Sequence, residues 1–281
     1  MRAEPFGPLD LAVPVIGHGT WQLERSERRA AVAAIRRAIA LGMTHIDTAE
    51  MYGSGWVEEL VREALGRELR DRVFLASKIL PENASHEGTL HACEQSLRRL
   101  GTDRLDLYLL HWRGRHPLER TIAAFERLRE DGKIRAWGVS NFDTQDLEEA
   151  HAVAGEGRIA CNQVLYHLKN RTIEHGVLPW CERHRVALVA YSPLGCGDFP
   201  SGRGVGAAVL AEIAAARQVT PHAVALAFLT RNRSVFAIPR SASERHVTAN
   251  AAAGDVTLDP SELARIEAAF PLGRWRGLPT L

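Results

Sequence analysis

Lysine is nearly missing from this chain. Of 35 basic residues only Lys78, Lys133 and Lys169 are lysines, and the remainder are arginine. A lysine inside an apolar run, as Lys78 is, therefore stands apart from a surface that takes its positive charge from arginine. Net charge is also small, +1. No field of one sign exists to attract nucleic acid or an anionic membrane surface. Apolar runs are short, and none approaches the roughly 20 residues that a membrane-crossing helix needs. The first ten residues are broken by Pro5, Gly7 and Pro8, which argues against a signal peptide. Cys93, Cys161, Cys181 and Cys196 are scattered with no C-x-x-C pair, which points to reduced thiols in a cytoplasmic protein. Long-period repeats, low-complexity tracts and linkers are lacking too. Residues 1–281 are therefore expected to form a single domain.

What is present is alternation. Short β-branched or leucine-rich runs fall at 13–17, 44–47, 73–78, 105–110, 134–139, 159–164, 186–190 and 235–238. Amphipathic helical segments separate them. Ser26 is expected to cap the first helix, in which Val32, Ile35 and Ile39 share a face and which Gly42 ends. Further helices are expected at 56–69, with Glu58 and Glu59 near its positive end, and at 86–100, 118–130 and 173–184. Asp143 starts another, and Thr220-Pro221 pairs a cap with a first-turn proline. Eight strands alternating with helices predict parallel pairing and a closed (β/α)8 TIM barrel. An open doubly wound sheet is the alternative. Its glycine fingerprint is incomplete here, because Gly17-His18-Gly19-Thr20-Trp21-Gln22 lacks the third glycine.

In such a barrel, chemistry sits at the C-terminal ends of the strands. Asp47, Lys78 and His111 end the second, third and fourth runs, and Tyr52 follows Asp47 on the next loop. Neighbouring strands lie about 4.8 Å apart, so the four side chains can converge. Each has a bland reading alone: Asp47 as a turn cap, Tyr52 as a packed aromatic, Lys78 as a snorkelling cation, His111 as a structural histidine. Together they suit carbonyl reduction. A lysine in the inward row of Phe74, Ala76 and Lys78 needs a carboxylate, and Asp47 is one strand away. A phenol, with an ordinary pKa of about 10, is a poor acid near neutrality. A cation roughly 4 Å away, at an effective dielectric near 20, favours the phenolate by about 4 kcal/mol, or ~3 pKa units. Asp47 would offset part of this while fixing the ammonium in place; Tyr52 is thus expected to act as general acid, with His111 polarising the carbonyl.

Asp47, Tyr52, Lys78 and His111, in this order, resemble the tetrad of the aldo-keto reductases. The segments Gly-Met-Thr-His-Ile-Asp-Thr-Ala-Glu-Met-Tyr-Gly (42–53), Leu-His-Trp (110–112), Gly-Lys-Ile-Arg-Ala-Trp-Gly-Val-Ser-Asn-Phe (132–142), Asn-Gln (162–163), Tyr-Ser-Pro-Leu-Gly (191–195) and Ile-Pro-Arg-Ser (238–241) are also similar to that family. They extend from the first strand to the last helices. The chain is most similar in kind to the compact bacterial reductases of methylglyoxal and other small aldehydes.

The resemblance implies NADPH lying across the barrel mouth, with a small carbonyl compound as the other partner. It implies that Gly19, Thr20 and Trp21 line the first loop and that Asp47 touches the nicotinamide ribose. Ser140, Asn141 and Gln163 would hold the carboxamide, which needs hydrogen-bonding groups of both signs. Tyr191 would stack on the nicotinamide ring, and Ser192, Pro193, Leu194 and Gly195 would meet the pyrophosphate. Ile238, Pro239, Arg240 and Ser241 form the adenosine-side segment, with Arg240 against the 2′-phosphate and Asn250 near the adenine. Trp21, Tyr52, His111 and Trp112 would wall the substrate pocket. One departure bears on the NADPH preference: His246 stands where the family commonly has a second arginine, with Arg245 beside it.

Other candidates are weaker. His111 and His116 lack a third metal ligand. Gly202-Arg203-Gly204-Val205-Gly206 lacks the lysine and hydroxyl of a phosphate loop and reads as cover near the pyrophosphate or as linker. The tail from Pro271 is expected to be irregular. Two competing functions share the barrel: a nicotinamide-binding regulatory module with little turnover, and an isomerase using Tyr52 and Lys78 without a redox cofactor. A monomer is expected.

Overall fold

The computed structural model describes residues 1–202, 204–275 and 277–280. Eight strands run parallel in one sheet: β3 (His18–Gly19), β4 (His45–Asp47), β5 (Phe74–Ile79), β6 (Leu105–Leu110), β7 (Ile134–Ser140), β8 (Ile159–Leu165), β9 (Ala187–Tyr191) and β10 (Val235–Ala237). They are numbered after a small antiparallel hairpin, β1 (Ala3–Pro5) with β2 (Ala12–Pro14). Successive strands pair in order. The sheet then closes on itself, because the Gly17 N–H donates to Ala237 O and the Ala237 N–H to Val15 O, both at 2.8 Å. The alternation thus yields the expected (β/α)8 barrel. No helix among the described residues is long and apolar enough to cross a membrane.

The helices are α1 (Arg28–Ala40), α2 (Trp56–Leu65), α3 (His86–Leu100), α4 (Leu118–Glu130), α5 (Thr144–Ala154), α6 (Val177–Arg183), α7 (Val205–Arg217), α8 (Pro221–Leu229), α9 (Glu244–Ala252) and α10 (Pro260–Ala269). Local chemistry sets their ends. Asp143 caps α5 and Asp259 caps α10, each through a reciprocal box with the residue three positions on, Asp146 and Glu262. The Thr220 side chain accepts from Ala223 N, and Pro221 opens α8. Strands β5 and β6 are buried along their whole length, as strands between a filled barrel and a ring of helices must be.

Several boundaries differ from expectation. The run at 13–17 is divided: Val13 belongs to the hairpin, and the first barrel strand is β3, shifted toward His18. Glu27, not Ser26, caps α1, since its carboxylate accepts from the N–H groups of Arg29 and Ala30. The helix expected to Leu69 stops at Leu65, where Gly66 takes φ 54°. The segment 173–184 divides into a 3₁₀ turn (Thr172–His175) and α6, with Gly176 between them. Glu58 and Glu59 lie in the first turn of α2, as expected, and Glu58 has a further use. It is fully buried, accepts from Ser77 Oγ at 2.6 Å, and pairs with Arg99 Nε at 2.6 Å. Within 202–206, Arg203 lies outside the described residues, and α7 begins at Val205. The tail from Pro271 is irregular where described, and Trp275 packs on His175 with ring centroids 6.5 Å apart.

The hairpin has a definite use. Between its strands it carries Phe6, fully buried, against the rings of His45 (5.8 Å), Phe74 (4.9 Å) and Phe236 (4.8 Å). His45 and Phe74 begin β4 and β5, so Phe6 fills the barrel floor at the end opposite the strand C-termini.

Candidate active site

Strand register brings the acid and the cation together. Asp47 ends β4 and lies beside Ala76 of β5, two residues before Lys78. Lys78 is completely buried. Its ammonium donates to Asp47 Oδ1 at 2.5 Å, to the Thr48 carbonyl at 2.8 Å and to the Tyr52 hydroxyl at 3.3 Å. Three partners match the three donors of an ammonium group. The other Asp47 oxygen accepts from Gln163 Nε2 at 2.8 Å, and the Asp47 carbonyl from Thr20 Oγ1 at 2.9 Å. Asp47 is therefore held from β5, from β8 and from the loop after β3.

Tyr52 reaches this group from a loop with unusual backbone. Gly53, Ser54 and Gly55 all take left-handed φ values, 56°, 54° and 91°. Such a run is costly for residues with a Cβ, and two of the three are glycine. It turns the chain into α2 immediately after the phenol. His111 follows β6 directly, and its ring meets that of Tyr52 edge-on at 5.9 Å.

Burial shapes the titration of all three groups. It raises the Tyr52 phenol above its usual value; Lys78 opposes this, Asp47 adds to it, and burial prevails. The expectation of a net acidified phenol is thereby corrected. The phenolate loses more hydration than the cation returns, because Asp47 already neutralises that cation. Burial alone would lower Lys78, but Asp47 and then Tyr52 raise it, so the lysine stays charged. His111 is pushed down to about 2, by burial first and by Lys78 second. Its imidazole is neutral. Nδ1 is buried without a hydrogen-bond partner, which suits a tautomer with its proton on Nε2.

Above these groups lies a cleft of about 750 Å3, open solvent included. Gly19, Thr20, Trp21, Asp47, Tyr52, His111, Trp112, Ser140, Asn141, Gln163, Tyr191, Ser192, Ile238 and Arg240 line it. Asn141 sits at φ 59°; its Nδ2 donates to the His111 carbonyl at 3.1 Å, and its Oδ1 accepts from Tyr191 OH at 2.9 Å. Ser140 Oγ donates to the Gln163 carbonyl at 2.8 Å. At the far end, Arg240 is exposed and donates to the Gln22 carbonyl at 2.8 Å.

The structure does not bring every expected residue to the cleft wall. Pro193, Leu194, Gly195, Pro239, Ser241 and Asn250 are not part of its lining. The Gly195 N–H donates to Ser192 O at 2.8 Å in a local turn, and Ser241 Oγ accepts from Ser243 N ahead of α9. Asn250 is buried on α9, while Arg245 and His246 are exposed there. Lys78 acts from beneath the floor. Met51, absent from the sequence-based set, does line the cleft. Its position next to Tyr52 was the available signal.

The aldo/keto reductase family model matches residues 15–270. The methylglyoxal reductase of Escherichia coli (strain K12) is 47% identical over 265 residues, covering 93% of each chain. The glyoxal reductase of Bacillus subtilis (strain 168) is 34% identical over 258 residues, covering 91% of this chain and 88% of its own. A crystal structure of an aldo-keto reductase from Klebsiella pneumoniae in complex with NADPH superposes with a TM-score of 0.92 at 44% identity, covering both chains completely. The chain belongs to the aldo/keto reductase family.

Proposed function

We propose that this chain is an NADPH-dependent reductase of aldehydes and dicarbonyls, with methylglyoxal as the leading substrate. The observation that carries the reading is the Lys78 ammonium, bonded to both Asp47 and the Tyr52 hydroxyl beneath an open cleft. The methylglyoxal and glyoxal reductases among the relatives support the substrate class, and the NADPH complex supports the cofactor.

The donor set suits a nicotinamide cofactor. Asn141 and Gln163 offer amides of both signs at the cleft wall, Tyr191 offers a ring, and Arg240 offers an accessible guanidinium for a 2′-phosphate. When bound, NADPH supplies the hydride to the carbonyl carbon. Tyr52 gives its proton to the carbonyl oxygen, and Lys78 stabilises the phenolate that remains. Asp47 keeps the ammonium in place. Neutral His111 donates from Nε2 to the same oxygen, polarising the carbonyl as negative charge develops. Trp21, Met51 and Trp112 give the cleft apolar walls, suited to small carbonyl compounds of varied shape. The eight strands form one sheet, which supports a single domain, and the scheme calls on no second chain. The scattered thiols fit the cytoplasm.

Loss of reduced-nicotinamide absorbance with purified protein and methylglyoxal tests the proposal. Turnover dependent on substrate is expected. Tight NADPH binding with no turnover on any of a panel of small aldehydes would replace the enzyme with a cofactor-binding module.

A further inference from the structure

Strands place Asp47 and Lys78, but a loop places Tyr52. Something other than strand pairing must therefore hold the phenol within 3.3 Å of the ammonium. Backbone bonds supply part of this. The Thr48 N–H donates to Ala76 O at 2.9 Å, Glu50 N–H to Lys78 O at 3.3 Å, and Tyr52 N–H to Ala49 O at 3.1 Å. The ladder between β4 and β5 has ended by then, since β4 stops at Asp47 while β5 runs to Ile79. The next donor on that side is the N–H of Leu80. It is met by a side chain: Glu50 Oε1 accepts from Leu80 N at 2.7 Å and from Asn83 Nδ2 at 2.9 Å.

The far end of this contact is itself anchored. Leu80 leads into a 3₁₀ turn (Pro81–Asn83), and the loop after β6 packs against that turn. His116 Nε2 lies 3.2 Å from the Glu82 carbonyl, and Thr121 Oγ1 donates to Ala84 O at 2.6 Å. A Cβ on Gly114 would fall 2.5 Å from Pro81 Cβ, so the two loops are in close contact. Glu50 thus joins the loop carrying Tyr52 to the segments that follow Lys78 and His111. Its carboxylate adds one rung to the sheet where the backbone has none left to give.

We infer that Glu50 is a positioning residue: its carboxylate, bonded to Leu80 N and Asn83 Nδ2, holds Tyr52 in register with Lys78. The inference rests on Tyr52 being the proton donor proposed above. A shift of about 1 Å in such a group costs on the order of 10²-fold in rate. Nothing in the arrangement requires the carboxylate's charge. It requires an oxygen acceptor at that place, and glutamine supplies one.

Full-length wild type, Glu50→Ala and Glu50→Gln, labelled with ¹³C at tyrosine Cζ, test this. Tyr52→Phe assigns the resonance. In Glu50→Ala the Tyr52 signal is expected to move or broaden, kcat to fall ten- to hundredfold, and the NADPH Kd to stay within twofold. Glu50→Gln should return the signal and at least half of kcat. An unchanged Tyr52 signal in Glu50→Ala overturns the inference, as does an alanine-like Glu50→Gln. A Glu50→Ala protein that loses NADPH binding along with kcat also overturns it, because the role is then general folding of the rim. The resonance needs no turnover. A wild type that reduces no carbonyl would end the reductase reading while the signal still decided whether Glu50 places the phenol.

Discussion

Gln163 and Asp47 are 116 residues apart in the chain and 2.8 Å apart in space, with the amide of Gln163 donating to Asp47 Oδ2. One side chain thus lines the cleft and braces the group that fixes Lys78. Hydrogen bonds to charged groups contribute about 1.5–3 kcal/mol, and each 1.4 kcal/mol is tenfold in affinity. Gln163→Leu is therefore expected to weaken NADPH binding at least tenfold and to lower kcat as well. Fluorescence titration with NADPH and a steady-state assay read the two effects. A variant with unaltered Kd and kcat would remove Gln163 from both roles.

Replacing the phenol separates chemistry from binding. Tyr52→Phe retains the ring beside His111 and deletes only the hydroxyl. Reduction of methylglyoxal should fall by at least a thousandfold, within the reach of an acid and its oriented hydrogen bond together, while the NADPH Kd remains near that of the wild type. Comparable turnover in the variant would assign proton transfer elsewhere.

Arg240 is predicted to read the 2′-phosphate. Arg240→Ala should lower kcat/KM with NADPH at least tenfold, while values with NADH stay within about twofold. Loss of the Arg240 bond to the Gln22 carbonyl acts on both cofactors alike and cancels in their ratio. An equal drop for the two would show that the guanidinium only braces the loop.

His18 and His45 give the fold an acid-side weakness. All four of their ring nitrogens are buried without hydrogen-bond partners, and burial lowers both groups to about 4. A histidine in the unfolded chain takes up its proton near 6.5. Between those values the unfolded state binds more protons, so stability is complete above about pH 6.5 and is lost as pH falls toward 4. The loss is on the order of 3 kcal/mol per histidine. Urea midpoints at pH 7 and pH 4.5 should differ accordingly, and His45→Leu should narrow the gap. An equal gap in that variant would place the acid sensitivity in other groups.

The barrel was legible because its longer strands hold short apolar runs with clear stops, such as Leu105–Leu110 ahead of His111 and the run 235–238 ahead of Pro239. The tetrad was legible because Lys78 is a cation where a strand should be apolar. Three features escaped for physical reasons. The hairpin strands are three residues long and end in Pro5 and Pro14, so they carry no alternation to read. Tyr52's titration depends on how much water the fold removes, and no spacing of residues reports that. The role of Glu50 leaves no local signal, because its partners Leu80 and Asn83 lie 30 and 33 positions away.

Phe6 has a kinetic corollary. With Phe6, His45, Phe74 and Phe236 packed ring on ring at the floor, the described cleft opens at the other end of the barrel, over Asp47, Tyr52 and His111. Whichever of two guests settles deeper must arrive first and go last.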